Sequence, residues 1–180
     1  MIMGGNPAEA HPVSLQHLLE GAEMNKANVI VVDPRLTRTA AHATEYVRIR
    51  PGTDIPVLYG IMWHIIKNGW EDKEFIRQRV YGYEDARKEM EKWTSEEVER
   101  VTGVPGEQLE RVAKMFATEK PSTLIWCMGQ TQHTVGHRQR ARELHRCCCS
   151  PATSAARAWA PISSAATTTC RARPTSASIL

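Results

Sequence analysis

Short apolar runs and helical patterns alternate along the first part of the chain. Four runs have the length and composition of β-strands, at residues 1–4, 28–32, 46–50 and 122–128. The run at 28–32 (Asn-Val-Ile-Val-Val) is continuous, which is typical of a strand that is buried on both faces. An amphipathic pattern at 12–24 separates the first two runs, so residues 1–32 predict one βαβ unit with parallel strands.

Helical patterns fill most of the interval between the third and fourth runs. They predict helices at 54–68, at 71–80, at 84–93 and from Pro105 to about 118. Thr94 and Glu97 fit a capping box, in which the hydroxyl and the carboxylate each bind a free amide at a helix start. The predicted fold is therefore α/β, with a Rossmann-like, open, mostly parallel sheet and a helical insert at about 71–118.

Polar loops marked by glycine or proline follow the predicted strands, at 4–9, 33–37, 51–54 and 129–133. In open parallel sheets, ligands bind beyond the carboxyl ends of the strands. Glycines let backbone amides approach a pyrophosphate, whose charge is favoured at a helix start. An acid after the second strand, here Asp33, can accept hydrogen bonds from ribose hydroxyls or from the adjacent N–H donors of guanine. The loops together indicate a nucleotide site.

Each loop taken alone also has a simpler structural explanation. Gly4-Gly5 lacks the full G-x-G-x-x-G motif and fits a turn, and Asp33 fits a strand end. Thr53 and Asp54 fit a helix N-cap, since both side chains can accept from free amides. Asp33 lies 28 residues after Gly5, beyond the ~20 expected of a nicotinamide fingerprint. The residues alone predict a nucleotide-binding α/β domain and leave its ligand open.

The order of the loops carries a family resemblance. The segments at 3–12, 32–39, 50–54 and 127–134 resemble the large subunit of formate dehydrogenases, within the molybdopterin oxidoreductase family. The resemblance covers residues 1–136 almost without a gap. It implies a domain that holds part of a bis(molybdopterin guanine dinucleotide) cofactor on molybdenum or tungsten.

The resemblance also implies cofactor contacts for eleven residues in four groups. The first dinucleotide loop would be lined by Gly5, Asn6 and Glu9. A guanosine end would be met by Asp33, Arg35 and Thr37, and the next contact would be formed by Gly52, Thr53 and Asp54. The pterin near the metal would be flanked by Met128 and Gln132.

According to the resemblance, the redox centre lies upstream of this sequence. The family's large subunit carries cysteines for a [4Fe–4S] cluster and a cysteine or selenocysteine metal ligand, and neither has a counterpart here. We therefore assign no catalytic residue and no metal ligand to this chain, and expect an internal fragment that does not oxidise formate by itself. Alternatives are a fragment of a nitrate or other molybdopterin reductase, a non-catalytic electron-relay relative and a plain nicotinamide-binding domain.

Partners and compartment follow from the same resemblance. Formate is the expected substrate of the whole enzyme, and an iron–sulfur electron-transfer subunit and a cytochrome b subunit are the expected partners. Relatives occur both as periplasmic, membrane-associated enzymes and as cytoplasmic ones. The similarity favours the periplasmic, membrane-associated group, with the cytoplasm as the alternative.

Composition changes abruptly after Gly136. Residues 1–136 hold 16 Lys+Arg and 19 Asp+Glu, whereas residues 137–180 hold seven arginines and a single acid, Glu143. A basic segment is typical of nucleic-acid binding. However, codons can be chosen for His137–Leu144 that encode, in a shifted frame, Thr-Ala-Asn-Val-Arg-Ala-Ser-Cys, which resembles the family's continuation. We therefore interpret residues 137–180 as a frame-shifted, disordered tail and expect no nucleic-acid partner.

Overall fold

A parallel sheet organises the protein, which a computed structural model describes at residues 1–80, 82–119 and 122–132. The strands are β1 (Ile2–Met3), β2 (Ile30–Val32), β3 (Glu45–Val47) and β4 (Ile125–Trp126). Their order is β3-β2-β1-β4, and all three neighbouring pairs are parallel. The predicted open parallel sheet is confirmed. Each strand is shorter than predicted, because an apolar run extends beyond the residues that pair.

Helices connect the strands and cover the sheet. They are α1 (Pro7–Ala10), α2 (Pro12–Asn25), α3 (Asp54–Lys67), α4 (Lys73–Arg79), α5 (Tyr83–Glu91), α6 (Ser95–Thr102), α7 (Gly106–Thr118) and α8 (Met128–Thr131), with a 3-10 turn at Ala40–His42. The helices predicted from the sequence are all present. The single-turn elements α1 and α8 were not predicted, since four residues are too few to show a helical period.

The strand order places a reversal point beside β1. From β1 the chain adds β2 and then β3 on one side, and after α3–α7 it adds β4 on the other side. Met3 aligns with both Val32 and Trp126, so these three strands end at the same edge of the sheet. In such sheets, the edge at the reversal point is where ligands bind.

Alternate residues of β2 pack on opposite sides of the sheet. Ile30 and Val32 join the large core that is built around α3, whereas Val31 joins a smaller cluster that α2 covers. The prediction of a strand buried on both faces is therefore confirmed. The cover by α2 is incomplete: none of its residues is fully buried, and Val13, on the predicted apolar face, is 65% exposed.

Helix α3 forms the centre of the large core. Five of its side chains have no exposed surface: Val57, Leu58, Ile61, Met62 and Ile65. A helix that is apolar on most sides must be covered on most sides, and α3 packs against α5, α6 and α7 as well as the sheet core. This packing fixes the position of the α3 N-terminus.

Two predicted caps differ in detail from the structure. Thr94 accepts from the Glu97 N–H at 3.4 Å as expected, but the Glu97 carboxylate accepts from Arg100 instead of closing the capping box. Thr53 occupies the N-cap position of α3, yet its hydroxyl donates to the carbonyl oxygen of Arg50 at 2.6 Å. In both cases the side chain bonds to a neighbouring group instead of an amide at the helix start: Glu97 bonds to the Arg100 side chain and Thr53 to the Arg50 carbonyl oxygen.

His64 in α3 has a buried imidazole ring. It is 4% exposed, and neither ring nitrogen has a partner among the described residues. Burial lowers its pKa from the usual 6.5, and the opposing effect of the Glu110 charge is smaller. The folded state therefore favours the neutral ring.

We expect the full chain to lose stability on acidification through His64. Because the pKa of His64 in the folded state lies below 6.5, the unfolded chain binds the proton at a higher pH than the folded chain does. The free energy of unfolding that the neutral ring contributes above pH 6.5 is therefore lost as the pH falls below that value. His64→Leu removes this proton uptake and two unpaired nitrogens, and should raise the free energy of unfolding by about 1–3 kcal/mol. Urea unfolding at about pH 7.5 and about pH 5.5 measures both effects. The control is His17→Leu on exposed α2, and equal pH dependence of wild type and His64→Leu would refute the expectation.

Candidate functional site

A cleft of 280 Å³ opens at the carboxyl edge of the sheet. Its walls come from the segments that follow all four strands and from the start of α3. The lining residues are Met3, Gly4, Val32, Asp33, Pro34, Arg35, Ile49, Pro51, Gly52, Asp54, Gly129 and Gln130. The cleft thus lies at the reversal point of the strand order, where the fold favours a ligand.

Two glycines bring the loops after β1 and β4 into backbone contact. The Gly129 N–H donates to the Gly4 carbonyl oxygen at 3.1 Å, and a Cβ added at Gly129 would lie 2.6 Å from that oxygen. Gly4 has a φ of +62°, and its Cβ would lie 2.8 Å from the backbone nitrogen of Gln130. Neither position can carry a side chain unless the backbone moves.

Gly5 has a related packing role one residue further on. A Cβ added there would lie 2.7 Å from the Cys127 sulfur. The Gly4 N–H already donates to the Val32 carbonyl oxygen at 3.1 Å. In the structure these glycines allow close packing between β1, β2 and β4. Their predicted approach to a phosphate stays a prediction.

Asp33 ends β2 and presents a carboxylate at the cleft. Its Oδ1 accepts from the Arg35 N–H at 2.9 Å, which forms an Asx turn. Its backbone oxygen accepts from the Tyr46 hydroxyl at 3.0 Å. The pKa of Tyr46 is raised, first by burial and then by the negative charge of Asp33. Within the described residues Oδ2 has no hydrogen-bond donor, so this oxygen is available to a ligand.

Asp54 and Gly52 line the cleft at the N-terminus of α3. Asp54 is the first residue of this 14-residue helix and is only 8% exposed. Gly52 has a φ of +82° with open space where a Cβ would stand, so its backbone conformation is what requires glycine. The N-terminus of a helix adds partial positive charge to this part of the cleft.

Three predicted contacts in the first two loops lie outside the cleft lining. Asn6 accepts from the Thr39 hydroxyl at 2.8 Å, and this bond joins the loop after β1 to the loop after β2. Glu9 is exposed and pairs with Arg38 at 3.8 Å. Thr37 is 6% exposed and accepts from the Ala40 N–H at 3.1 Å at the start of the 3-10 turn. These bonds give each residue a structural function, and their cofactor contacts remain predictions.

The remaining predicted residues are divided between the wall and its surroundings. Thr53 lies between two lining residues but does not itself line the cleft. Met128 begins α8 and is 42% exposed, and Gln132 follows the same helix at the surface. Of the eleven predicted residues, the cleft therefore brings together Asp33, Arg35, Gly52 and Asp54, with Gly5 directly behind it.

Gln130 is a polar lining residue that was not among the eleven predicted contacts. It is 3% exposed, and its Oε1 is buried with no partner among the described residues. Its loop was predicted as part of a ligand site, but a glutamine in a polar loop is expected at the surface. Only the approach of the β1 and β4 loops buries it.

The charges at the cleft favour a ligand that donates hydrogen bonds. Two carboxylates, Asp33 and Asp54, and one guanidinium, Arg35, belong to its lining. Carboxylates accept hydrogen bonds and bind N–H groups more strongly than neutral acceptors do. The base of a nucleotide fits this arrangement better than a bare phosphate does.

The described residues also bear on metal binding and membrane insertion. Among them, no group of three or more His, Cys, Asp or Glu side chains is placed to hold a metal ion. None of the helices in this part of the chain combines the length and hydropathy needed to cross a membrane. The predicted frame-shifted tail at 137–180 lies outside the described residues and stays a prediction.

Known proteins resemble this chain in both sequence and fold. The profile of the family described as "Molybdopterin oxidoreductase" matches residues 1–175. The alpha subunit of F420-dependent formate dehydrogenase 1 from Methanococcus maripaludis is 37% identical over 135 residues, which is 75% of this chain and 20% of that protein. Formate dehydrogenase H from Escherichia coli is 36% identical over 135 residues, 75% of this chain and 19% of that protein.

A solved structure agrees with the fold. Acetylene hydratase from Pelobacter acetylenicus superposes with a TM-score of 0.69 at 26% identity, over 82% of this chain and 20% of the hydratase. The chain therefore spans about a fifth of the length of the relatives it matches.

Proposed function

Because this chain belongs to the molybdopterin oxidoreductase family, we propose that its cleft binds the guanosine end of a molybdopterin guanine dinucleotide. The observation that carries the proposal is the pair of acidic residues, Asp33 and Asp54, that line one cleft at the reversal point of the sheet. A carboxylate can accept from the ring N–H and the amino group of guanine together. Adenine has a ring acceptor in place of that N–H, so the cleft should select guanine.

The residues present fit such a group in size and chemistry. A volume of 280 Å³ is near the lower end for small-molecule pockets, which suits one nucleoside rather than a whole dinucleotide. The unpaired Oε1 of Gln130 is a further acceptor in the same lining. The backbone at Gly52, with its positive φ, leaves the wall open at the start of α3.

For the whole protein we propose the oxidation of formate to CO2. Support comes from relatives that are named formate dehydrogenases and that align with three quarters of this chain. A bis(molybdopterin guanine dinucleotide) group on molybdenum or tungsten would supply the two-electron chemistry. The described residues would bind and orient its nucleotide end, and a [4Fe–4S] cluster would be held by other parts of the whole protein. We expect the chain by itself to be inactive.

The fold alone does not select this reaction. A protein whose name describes a hydratase shares it, so neither a nitrate or other reductase nor a non-catalytic relay relative is separated from a formate dehydrogenase by architecture. The sequence relatives favour formate. The carboxylates at the cleft favour a bound cofactor over a relay protein without one, because that protein would have no use for them.

Partners and location stay proposals of the same kind. We propose an iron–sulfur electron-transfer subunit and a cytochrome b subunit as partners of the whole enzyme. We also propose a periplasmic, membrane-associated location, with the cytoplasm as the alternative.

Nucleotide selectivity tests the proposed site directly. We expect the purified 180-residue chain to bind GMP saturably, and to bind AMP at least about tenfold more weakly, because a bidentate contact to one base edge discriminates by about 1–3 kcal/mol. Isothermal titration calorimetry with each nucleotide measures both affinities. Absence of GMP binding, or equal affinity for the two nucleotides, would contradict the proposal.

A further inference from the structure

We propose that Gln130 is a ligand-recognition residue of the cleft, and that its buried amide oxygen accepts a hydrogen bond from the lactam edge of the bound heterocycle. This inference rests on the proposed nucleotide site and adds to it a residue to which the family resemblance assigned no cofactor contact. The chemistry it recognises is the 2-amino-4-oxopyrimidine edge, which guanine and pterin share.

The first argument is the state of the side chain. Gln130 is 3% exposed, and within the described residues no donor reaches its Oε1. A buried amide oxygen that has lost water without gaining a partner is unfavourable, and native proteins retain few such atoms. The residue lines the cleft, so a donor supplied by a ligand can satisfy it.

The second argument is that the backbone holds this residue in place. Its own N–H donates to the Cys127 carbonyl oxygen at 3.0 Å within the turn that begins α8. The preceding residue, Gly129, donates to the Gly4 oxygen at 3.1 Å. The backbones of Gly4 and Gly129 are so close that neither residue has space for a Cβ, and a shift of the loop would break this contact. The amide is therefore preorganised at the cleft before a ligand binds.

The third argument is complementarity with the other walls. Asp33 and Asp54 are acceptors when ionised, and Gln130 adds an acceptor from the β4 side. A ligand with several N–H donors on one rigid edge can satisfy acceptors that come from different strands. Guanine and pterin both have a ring N–H next to an exocyclic amino group, whereas adenine lacks the ring N–H.

Replacement by leucine separates binding from folding. Gln130→Leu keeps similar bulk but removes the proposed acceptor Oε1, which is also the unpaired buried atom. We expect the full chain to bind GMP about tenfold more weakly, since one neutral hydrogen bond is lost and the partner is left unpaired. In the absence of nucleotide, the urea unfolding midpoint should stay the same or rise. A side chain with a purely structural function would give the opposite pattern, with lower stability and unchanged affinity.

The experiment is calorimetric titration of the 180-residue chain with GMP, with neopterin and with AMP, alongside urea unfolding of each variant. The matched control is Gln16→Leu, on the exposed face of α2, which should leave the affinities for all three ligands unchanged. Loss of affinity for GMP alone assigns the guanine end to Gln130, and loss for neopterin alone assigns the pterin.

Several outcomes would overturn the inference. Unchanged affinities in Gln130→Leu would remove Gln130 from recognition and leave the nucleotide site intact, provided that wild type still binds GMP. A variant that no longer folds would show that the side chain is structural. If wild type binds neither GMP nor neopterin, the proposed function itself fails and this inference fails with it.

Discussion

Gly129→Ala is expected to lower the free energy of unfolding by about 3 kcal/mol, at the upper end of the usual cost of overpacking. A Cβ at this position would lie 2.6 Å from the Gly4 carbonyl oxygen and 2.9 Å from its Cα. Both neighbours are backbone atoms, so no side-chain rotation relieves the clash. The hydrogen bond between the Gly129 N–H and the Gly4 oxygen would also be strained. Urea unfolding of the full chain, followed by circular dichroism, measures the loss.

Gly21→Ala is the matched control for this substitution. Gly21 lies inside α2, and nothing stands within 4 Å of where its Cβ would be. Alanine should therefore stabilise the chain by about 0.5–1 kcal/mol through its helix propensity. Opposite signs for the two substitutions are the expected result. If Gly129→Ala were as stable as wild type, the contact between the β1 and β4 loops would not be as close as the structure shows.

Asp33→Asn is expected to weaken GMP binding by about 10- to 100-fold. The substitution replaces two carboxylate oxygens with one acceptor and one donor, so a contact to two adjacent N–H groups is lost. Folding should be preserved, because asparagine can still accept from the Arg35 N–H and keep the Asx turn. Calorimetric titration with GMP measures the effect, and the urea midpoint of the same variant confirms that the turn is intact.

Asp85→Asn makes the same change of charge far from the cleft and serves as the control. Asp85 lies in α5 with an 89% exposed side chain and pairs with Lys88 at 3.8 Å. Its substitution should leave GMP affinity unchanged. If Asp33→Asn and Asp85→Asn bound GMP with equal affinity, any change in affinity would come from the net charge of the chain. Such a result would refute a direct contact between Asp33 and guanine.

Much of the candidate site could be predicted because ends of strands are visible in the sequence. Asp33 follows a continuous β-branched run, and Gly52 and Asp54 precede a strongly apolar helix, so all three were placed at loops beyond strand ends. The structure places these three at one cleft. The hydrogen bonds of Asn6 and Thr37 could not be predicted in the same way. Asn6 bonds to a residue of another loop, and Thr37 bonds within a turn that has no periodic pattern.

The sequence by itself determined the α/β class, the positions of the four strands and the large helices, and the polar character of the loops between them. These features depend on the period of apolar residues and on local breakers, both of which act over a few neighbouring positions. Tertiary structure alone decided the position of β4 beside β1, the contact of Gly4 with Gly129 and the burial of Gln130. Each of these depends on segments about 125 residues apart meeting at one sheet edge, and a local pattern carries no information about which distant backbone will close over a given residue.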